Sequence, residues 1–142
     1  MKKKEYILKW FKKAESDLKV AEYLLTSEEP PTDAICFHCQ QAVEKYFKAY
    51  LTYKDVRARK THDLEALLNL CIEEDKEFGN LEREKISSLS FFAVDIRYPD
   101  EFYMPSFNET KEYLKLAREV KTFVIGKLNI RDSDIKENKD EA

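Results

Sequence analysis

The sequence predicts an all-α protein, an antiparallel up-and-down bundle of about five helices, and three observations support this. Of 142 residues only two are Gly and four are Pro, the residue types that most often interrupt a helix. Apolar residues recur at alternating spacings of three and four, which is the period of one helix face. The breaks between these stretches are short, and short connections favour antiparallel neighbours.

The first helix is predicted from Glu5 to Thr26. Its apolar face consists of Ile7, Phe11, Ala14, Leu18, Ala21 and Leu25. On the opposite side Glu5 stands four positions before Lys9, an order that stabilises a solvated helix. The segment TSEEPPTD ends the pattern because proline cannot continue a helix interior.

The second helix is predicted from about Asp33 to Tyr53, with an apolar surface wide enough to contact several other helices. A polar strip remains on it, at spacings of three and four, and consists of His38, Gln41, Lys45 and Lys48, continued by Thr52. The strip has three interpretations: a solvated face, a dimer seam, or a docking and nucleotide-binding surface. Because Gln and long Lys stems are tolerated at the rim of an interface, we expect it to face a partner subunit.

Gln40 falls among the apolar residues of the same helix. A buried amide without a partner is unfavourable, so its side chain is expected to bond to another helix or across a subunit interface. A satisfied core amide is the preferred interpretation.

The remaining helices are marked by their caps and breaks. The third is predicted to be capped by Thr61, with an inner face of Leu64, Leu67, Leu68 and Cys71. A fourth follows Gly79 and Asn80 and ends near RYPD, because Pro99 disfavours helical geometry before it; its inward residues are Ile86, Leu89, Ala93 and Ile96. The fifth opens with a capping box of Ser106 and Glu109 and buries Tyr113, Ala117, Val120 and Val124.

The domain organisation is expected to be simple: one helical bundle over residues 1–128 and a charged, disordered tail over residues 129–142. No run of about 18 apolar residues and no export leader is present, so a cytoplasmic protein is expected.

Several chemical classes lack their motifs. There is no glycine-rich phosphate loop, no Gly-x-Ser-x-Gly and no His-Glu-x-x-His. Cys36 and Cys39 form a C-x-x-C pattern, but both lie inside a predicted helix, which is a poor scaffold for a zinc knuckle. They are expected to be buried thiols, and no metal or cofactor is expected.

Charges are expected to separate to the two ends of an up-and-down bundle. One end would collect Lys2, Lys3, Lys4, Lys54, Arg57, Arg59, Lys60, His62 and Arg97. The other would collect Glu28, Glu29, Asp33, Glu73, Glu74, Asp75 and Glu77. The basic end is a candidate site for phosphate-bearing ligands, through Lys54, Arg57, Arg59, Lys60 and Arg97, unless these are only solvated loop charges.

Three stretches together resemble a known family. FHCQQAVEKYFKAYL, THDLEALL and RYPDEF, in this order, are similar to the HEPN domain, named for higher eukaryotes and prokaryotes nucleotide-binding. The resemblance implies a bundle of about five helices, commonly homodimeric. Prokaryotic members often accompany a minimal nucleotidyltransferase in two-component toxin and antitoxin pairs. Other members are metal-independent ribonucleases with an Arg, four to six residues, then a His.

This sequence departs from the nuclease pattern. Arg97 has the expected place, but Phe102, Tyr103 and Met104 stand where the His should be. His62 would lie at the same end of the bundle, so a composite site is conceivable in which His62 removes a ribose 2′-hydroxyl proton and Arg97 stabilises the phosphate.

Three functions follow as hypotheses. The leading one is a non-catalytic HEPN subunit that dimerises, binds nucleotide or RNA phosphate, and partners a nucleotidyltransferase. The alternatives are a ribonuclease toxin using Arg97 and His62, and a protein-interaction module without ligand.

Overall fold

The computed structural model describes residues 2–58, 60–94 and 98–129. These ranges contain five α-helices: α1 (Lys2–Leu25), α2 (Thr32–Tyr53), α3 (Leu64–Glu74), α4 (Arg83–Leu89) and α5 (Phe107–Leu128). Short 3₁₀ helices cover Lys76–Asn80, Ser90–Ala93 and Pro99–Glu101. The described ranges contain no strand. The predicted all-α bundle of five helices is therefore confirmed.

Helix α2 is the centre of the bundle and packs against α1, α3 and α5. Its buried residues are not confined to one face, and they include Cys36, Ala42, Tyr46 and Tyr50. The wide apolar surface seen in the sequence therefore serves three neighbours at once.

Helices α1 and α2 are antiparallel. Lys3 at the start of α1 lies 3.0 Å from Asp55, just beyond the end of α2. Helix α5 is antiparallel to α1 as well, since Arg118 bonds Glu22 at 2.7 Å and Lys121 bonds Glu15, earlier in α1, at 2.5 Å. Consequently α5 runs beside α2 in the same direction.

The connection from α2 to α3 does not simply turn over the end of the bundle. Helix α2 ends with Asp55 in the left-handed region, at a φ of 59°, and the backbone N–H of Val56 donates to the carbonyl of Leu51 at 2.9 Å. This is the Schellman-type ending that turns a chain sharply back. Residues up to His62 then return to the middle of α2, where His62 contacts Glu44.

Helix α3 therefore starts beside the middle of α2 and runs in the same direction. After it, Phe78 packs against Tyr50 near the C-terminal end of α2, with ring centroids 4.4 Å apart. The expected separation of charges is wrong here: Asp75 bonds Lys127 at 2.8 Å, and Lys54 contributes to lowering the pKa of Asp75, after the hydrogen bonds from Lys127 and Glu77. Acidic and basic residues share this end, because α3 is not antiparallel to α2.

Two predicted boundaries are corrected. Asp63, not Thr61, caps α3, and its carboxylate accepts from the backbone N–H of Glu65 at 3.0 Å; Thr61 instead accepts from the N–H of Asp63 at 3.1 Å. Asp63 has the extended backbone that an N-cap residue needs. The first helix also begins earlier than predicted, at Lys2.

The fourth helix is shorter than predicted. It ends at Leu89, and the chain continues as 3₁₀ helix over Ser90–Ala93. A 3₁₀ helix repeats every three residues, so Leu89 and Phe92 both become buried while Ala93 is only half-buried. Ile96, predicted to face inward, lies outside the described residues.

The fifth helix opens as predicted. The Ser106 hydroxyl accepts from the N–H of Glu109 at 3.0 Å, and the Glu109 carboxylate accepts from the N–H of Ser106 at 3.1 Å. The capping box is confirmed. Residues 130–142, most of the expected tail, lie outside the described residues, and the domain boundary at 128 stays a prediction.

Replacing Phe78 by Ala tests the aromatic cluster that closes one end of the bundle. The Phe78 ring is fully buried and lies 4.8 Å from that of Phe123. Its loss should lower the free energy of unfolding by about 3–5 kcal/mol in urea titrations, because a cavity remains. Tyr23→Ala, at a 76% exposed position, should change it by less than about 0.5 kcal/mol. Equal effects of the two substitutions would contradict the packing described.

Candidate functional site

A buried carboxylate lies on the central helix. Glu44 is 4% exposed, and its carboxylate accepts from Lys48 Nζ at 2.8 Å and from Gln40 Nε2 at 3.2 Å. The three residues are four positions apart, so they stack along one side of α2. A carboxylate with so little exposure needs such donors, because a buried unpaired charge is strongly unfavourable.

His62 is the third partner of Glu44. Its Nδ1 lies 3.0 Å from Oε1 and 3.1 Å from Oε2. An ionised carboxylate only accepts hydrogen bonds, so Nδ1 carries the proton of this bond. The side chain is 65% exposed, which leaves Nε2 open to a ligand. A buried acid therefore orients an imidazole that faces solvent.

The backbone of His62 is held as firmly as its ring. Its carbonyl accepts from Gln40 Nε2 at 3.1 Å and from the Ser90 hydroxyl at 3.3 Å. Ser90 in turn accepts from the N–H of Leu64 at 2.9 Å. The expectation that Gln40 is a satisfied core amide is confirmed, and its partners are Glu44 and the connection between α2 and α3.

The polar strip is half-buried along its length and bonded within the chain. His38 Nδ1 lies 2.9 Å from Asp17 of α1, and Lys45 pairs with the other oxygen of the same carboxylate. Gln41 donates to Gln40 Oε1 at 2.7 Å. Part of the covering that we expected from a partner subunit is thus supplied by α1 itself.

The basic candidates do not form one cluster around His62. Lys54, Arg57 and Lys60 are exposed, and Lys54 lies 5.7 Å from the centre of the Tyr53 ring. Lys54 follows Glu44 by ten positions, roughly 15 Å along α2 at 1.5 Å per residue, whereas Lys60 precedes His62 by two residues. Arg59 and Arg97 lie outside the described residues.

The three cysteines are buried thiols, as expected. Desolvation raises the pKa of Cys36 to about 11, and it raises the pKa of Cys39 and of Cys71 further. Thiols held neutral in this way are poor nucleophiles and poor metal ligands. Over the described ranges, no group of three or more His, Cys, Asp or Glu side chains is arranged to hold a metal ion.

Glu44 and Asp17 were missed by the sequence analysis. The signal for Glu44 was present, because Gln40, Glu44 and Lys48 repeat every four residues along a helix with a wide apolar surface. The spacing does not show that His62, 18 positions after Glu44, would supply the imidazole that contacts this carboxylate.

Fold and site together define an all-α bundle whose central helix carries a buried acid shared by a lysine and a solvent-facing histidine. Its described helices include none that is long and apolar enough to cross a membrane. The chain belongs to the HEPN domain family, whose sequence profile matches residues 7–129. The resemblance drawn from its motifs is thereby confirmed.

One relative is a protein of Methanocaldococcus jannaschii named "Putative toxin MJ1304". It is 32% identical over 117 residues, an alignment that covers 78% of this chain and 75% of the relative. No solved structure gives a significant match.

The importance of Glu44 is testable by two substitutions. Glu44→Ala removes the carboxylate that pairs with Lys48 and leaves Gln40 with only the His62 carbonyl as acceptor. It should lower the free energy of unfolding by about 3–5 kcal/mol, measured by urea titration. Glu44→Gln keeps one acceptor oxygen and should lower it by clearly less. A loss for Glu44→Ala as small as that for the exposed Tyr23→Ala would show that the hydrogen bonds of the carboxylate do not stabilise the fold.

Proposed function

We propose that this chain is the HEPN subunit of a two-component system of the toxin and antitoxin type, which binds nucleotide or RNA phosphate and partners a separate minimal nucleotidyltransferase. Membership of the HEPN family supports the first part. So does the name of its relative, a putative toxin that aligns with most of this chain.

The ligand contact is assigned to His62, and the observation that carries it is the buried Glu44 behind the exposed ring. An imidazole held by an acid on one nitrogen can donate to, or accept from, a phosphate or ribose group on the other. Lys60 stands two positions before it, and Arg57 three positions earlier still, both exposed. Cations on this connection attract phosphate. The proposed set also contains Arg59 and Arg97, and Lys54, which lies at the end of α2 away from His62 and would contact a different phosphate of an RNA strand.

The nucleotidyltransferase partner is proposed because prokaryotic members of the family often accompany such an enzyme. This partnership can be tested separately from ligand binding. Copurification of the native protein with such an enzyme supports the partnership. If repeated purifications at low salt yield the protein without a nucleotidyltransferase, the proposed partnership is contradicted.

Ligand binding should depend on salt and on His62. We expect a labelled single-stranded RNA to bind more weakly as salt rises, since each neutralised phosphate releases counterions. His62→Ala should reduce the affinity at low salt by about tenfold, the loss of one charge-assisted hydrogen bond. The measurement is fluorescence anisotropy over a salt series.

His38→Ala is the matched control, because His38 is also bonded to a carboxylate but through α1. It should leave RNA binding unchanged. RNA affinity that does not change with salt, or that falls equally in the His62 and His38 variants, would contradict the assignment of the ligand contact to His62. Either result would favour a protein-interaction module.

A second candidate function is metal-independent ribonuclease activity, and the Glu44 bond to Nδ1 is the observation that favours it. With Nδ1 protonated, the neutral ring can use Nε2 as a base. It would take the proton of a ribose 2′-hydroxyl, whose oxygen attacks the adjacent phosphorus to form a 2′,3′-cyclic phosphate. The bond to the 5′-oxygen breaks, and this oxygen leaves as a hydroxyl with a proton from water. Arg97 would stabilise charge on the phosphate.

Incubation of the protein with labelled RNA and a metal chelator separates the two functions. Cleavage that His62→Ala and Arg97→Ala both abolish, and His38→Ala retains, would establish the ribonuclease. We expect no cleavage by the parent chain, because the His after Arg97 is missing. Cleavage that survives both substitutions would come from a contaminant.

A further inference from the structure

The one tryptophan of the chain lies at the edge of the core and not inside it. Trp10 of α1 is half-buried, and Lys48 Nζ lies 5.7 Å from the centre of its ring. Since Lys48 belongs to the polar strip of α2, the indole stands beside that strip. A large apolar ring next to amide and ammonium groups is typical of contact sites, where one side of the ring is apolar and the other meets polar groups.

The same lysine links the indole to His62. Lys48 Nζ donates to Oε2 of Glu44 at 2.8 Å, and the same oxygen lies 3.1 Å from Nδ1 of His62. The indole is carried by α1, whereas the imidazole is carried by the connection from α2 to α3, so the two rings lie on either side of this ion pair. A ligand that contacts His62 therefore has an aromatic ring nearby.

The charges of the polar strip are already neutralised within the chain. Lys48 pairs with Glu44, and Lys45 pairs with Asp17. A flat ring that covers these ammonium groups leaves no charge unpaired, so covering them is not strongly unfavourable. Gln41 of the same strip carries an amide whose carbonyl oxygen can accept from the amino group of a base.

We propose that this strip binds an unpaired nucleobase, which stacks on Trp10 while its own phosphate or the adjacent one contacts His62. The inference rests on the proposed function, which assigns a phosphate contact to His62, and it adds the base as a second determinant of binding. Every base has an aromatic face that can stack on an indole, whatever the sequence. Because the bases of a duplex are stacked on one another, the ligand class is single-stranded RNA.

The connection from α4 to α5 exposes other aromatic rings, but they suit RNA less well. Tyr98 is 76% exposed and Phe102 67%, and the backbone N–H of Tyr98 donates to Glu101 at 3.4 Å, which orders this turn. Asp100 and Glu101 stand between the two rings in the chain. Their carboxylates would repel the phosphates of a strand stacked there. These rings therefore serve as a comparison for Trp10.

The first test compares two strands on the unaltered full chain: a short oligoadenylate RNA and an abasic ribose-phosphate strand of the same length. Fluorescence anisotropy of the labelled strands gives the affinities, and the fluorescence of Trp10, the one tryptophan of the chain, reports contact with its ring. We expect the RNA to quench this fluorescence. The abasic strand should not quench it and should bind about tenfold more weakly. Equal affinities, or bound RNA that does not quench, would overturn the inference.

The second test changes the ring. Trp10→Leu keeps an apolar side chain against the core but removes the aromatic face, and it should lower the affinity for the RNA about tenfold, to that for the abasic strand. Because stacking releases no counterions, the factor should be the same at every salt concentration. Trp10→Phe keeps a ring and should retain most of the affinity. Circular dichroism checks the fold of each variant, and the abasic strand decides the question even if Trp10→Leu does not fold.

Tyr23→Leu and Phe102→Leu are the matched controls, because each removes an exposed ring elsewhere. Both should bind RNA as the parent does, and a loss as large as that of Trp10→Leu would overturn the inference. Salt-dependent binding that needs His62 but is equal for the two strands would overturn this inference alone. Base-dependent binding that His62→Ala does not weaken would keep the base on Trp10 and remove the phosphate contact from His62. A parent that binds no RNA would overturn both proposals.

Discussion

The burial of one carboxylate, that of Glu44, constrains much of the structure. A charge removed from water needs compensating donors, and breaking such a set by removing one partner is far more harmful than never having built it. Glu44 obtains Lys48 and Gln40 from its own helix. These two donors lie beside Glu44 simply because residues four positions apart share one side of a helix. Its remaining donor, His62, comes from outside the helix and therefore ties the following connection to α2.

That tie is consistent with the path of the chain after α2. Asp55 adopts the left-handed conformation that turns the chain back, and the carbonyl of His62 is then bonded by Gln40 and Ser90. Because α3 begins at Leu64, two residues after this anchored carbonyl, it starts beside the middle of α2 and runs in the same direction. Phe78 consequently packs against Tyr50, and Asp75 lies within reach of Lys127. The acidic segment around Asp75 therefore lies at the same end of the bundle as Lys54, and not at the opposite end as the sequence had predicted.

The structure separates two kinds of surface. Around His62 and along the strip of α2, polar groups are bonded within the chain, which suits recognition of a small number of phosphate or ribose atoms with defined geometry. Between α4 and α5, apolar rings are exposed on a locally ordered backbone, which suits contact with a broad apolar partner. The two surfaces adjoin through Ser90, which bonds His62 while its neighbour Phe91 approaches Tyr103, with ring centroids 6.4 Å apart.

The sequence by itself determined the number of helices, the bounds of α2 within one residue at its start, the capping box of α5 and the buried amide of Gln40. Each depends on residues close together in the chain, where a period of 3.6 residues and cap chemistry act locally. It also placed the chain in the HEPN family. The direction of α3, the cap at Asp63, the partners of Glu44 and the concentration of exposed rings were decided only by the tertiary structure. The physical reason is that a turn of a single residue, Asp55, sets which distant side chains meet, and periodicity along the chain carries no record of such contacts.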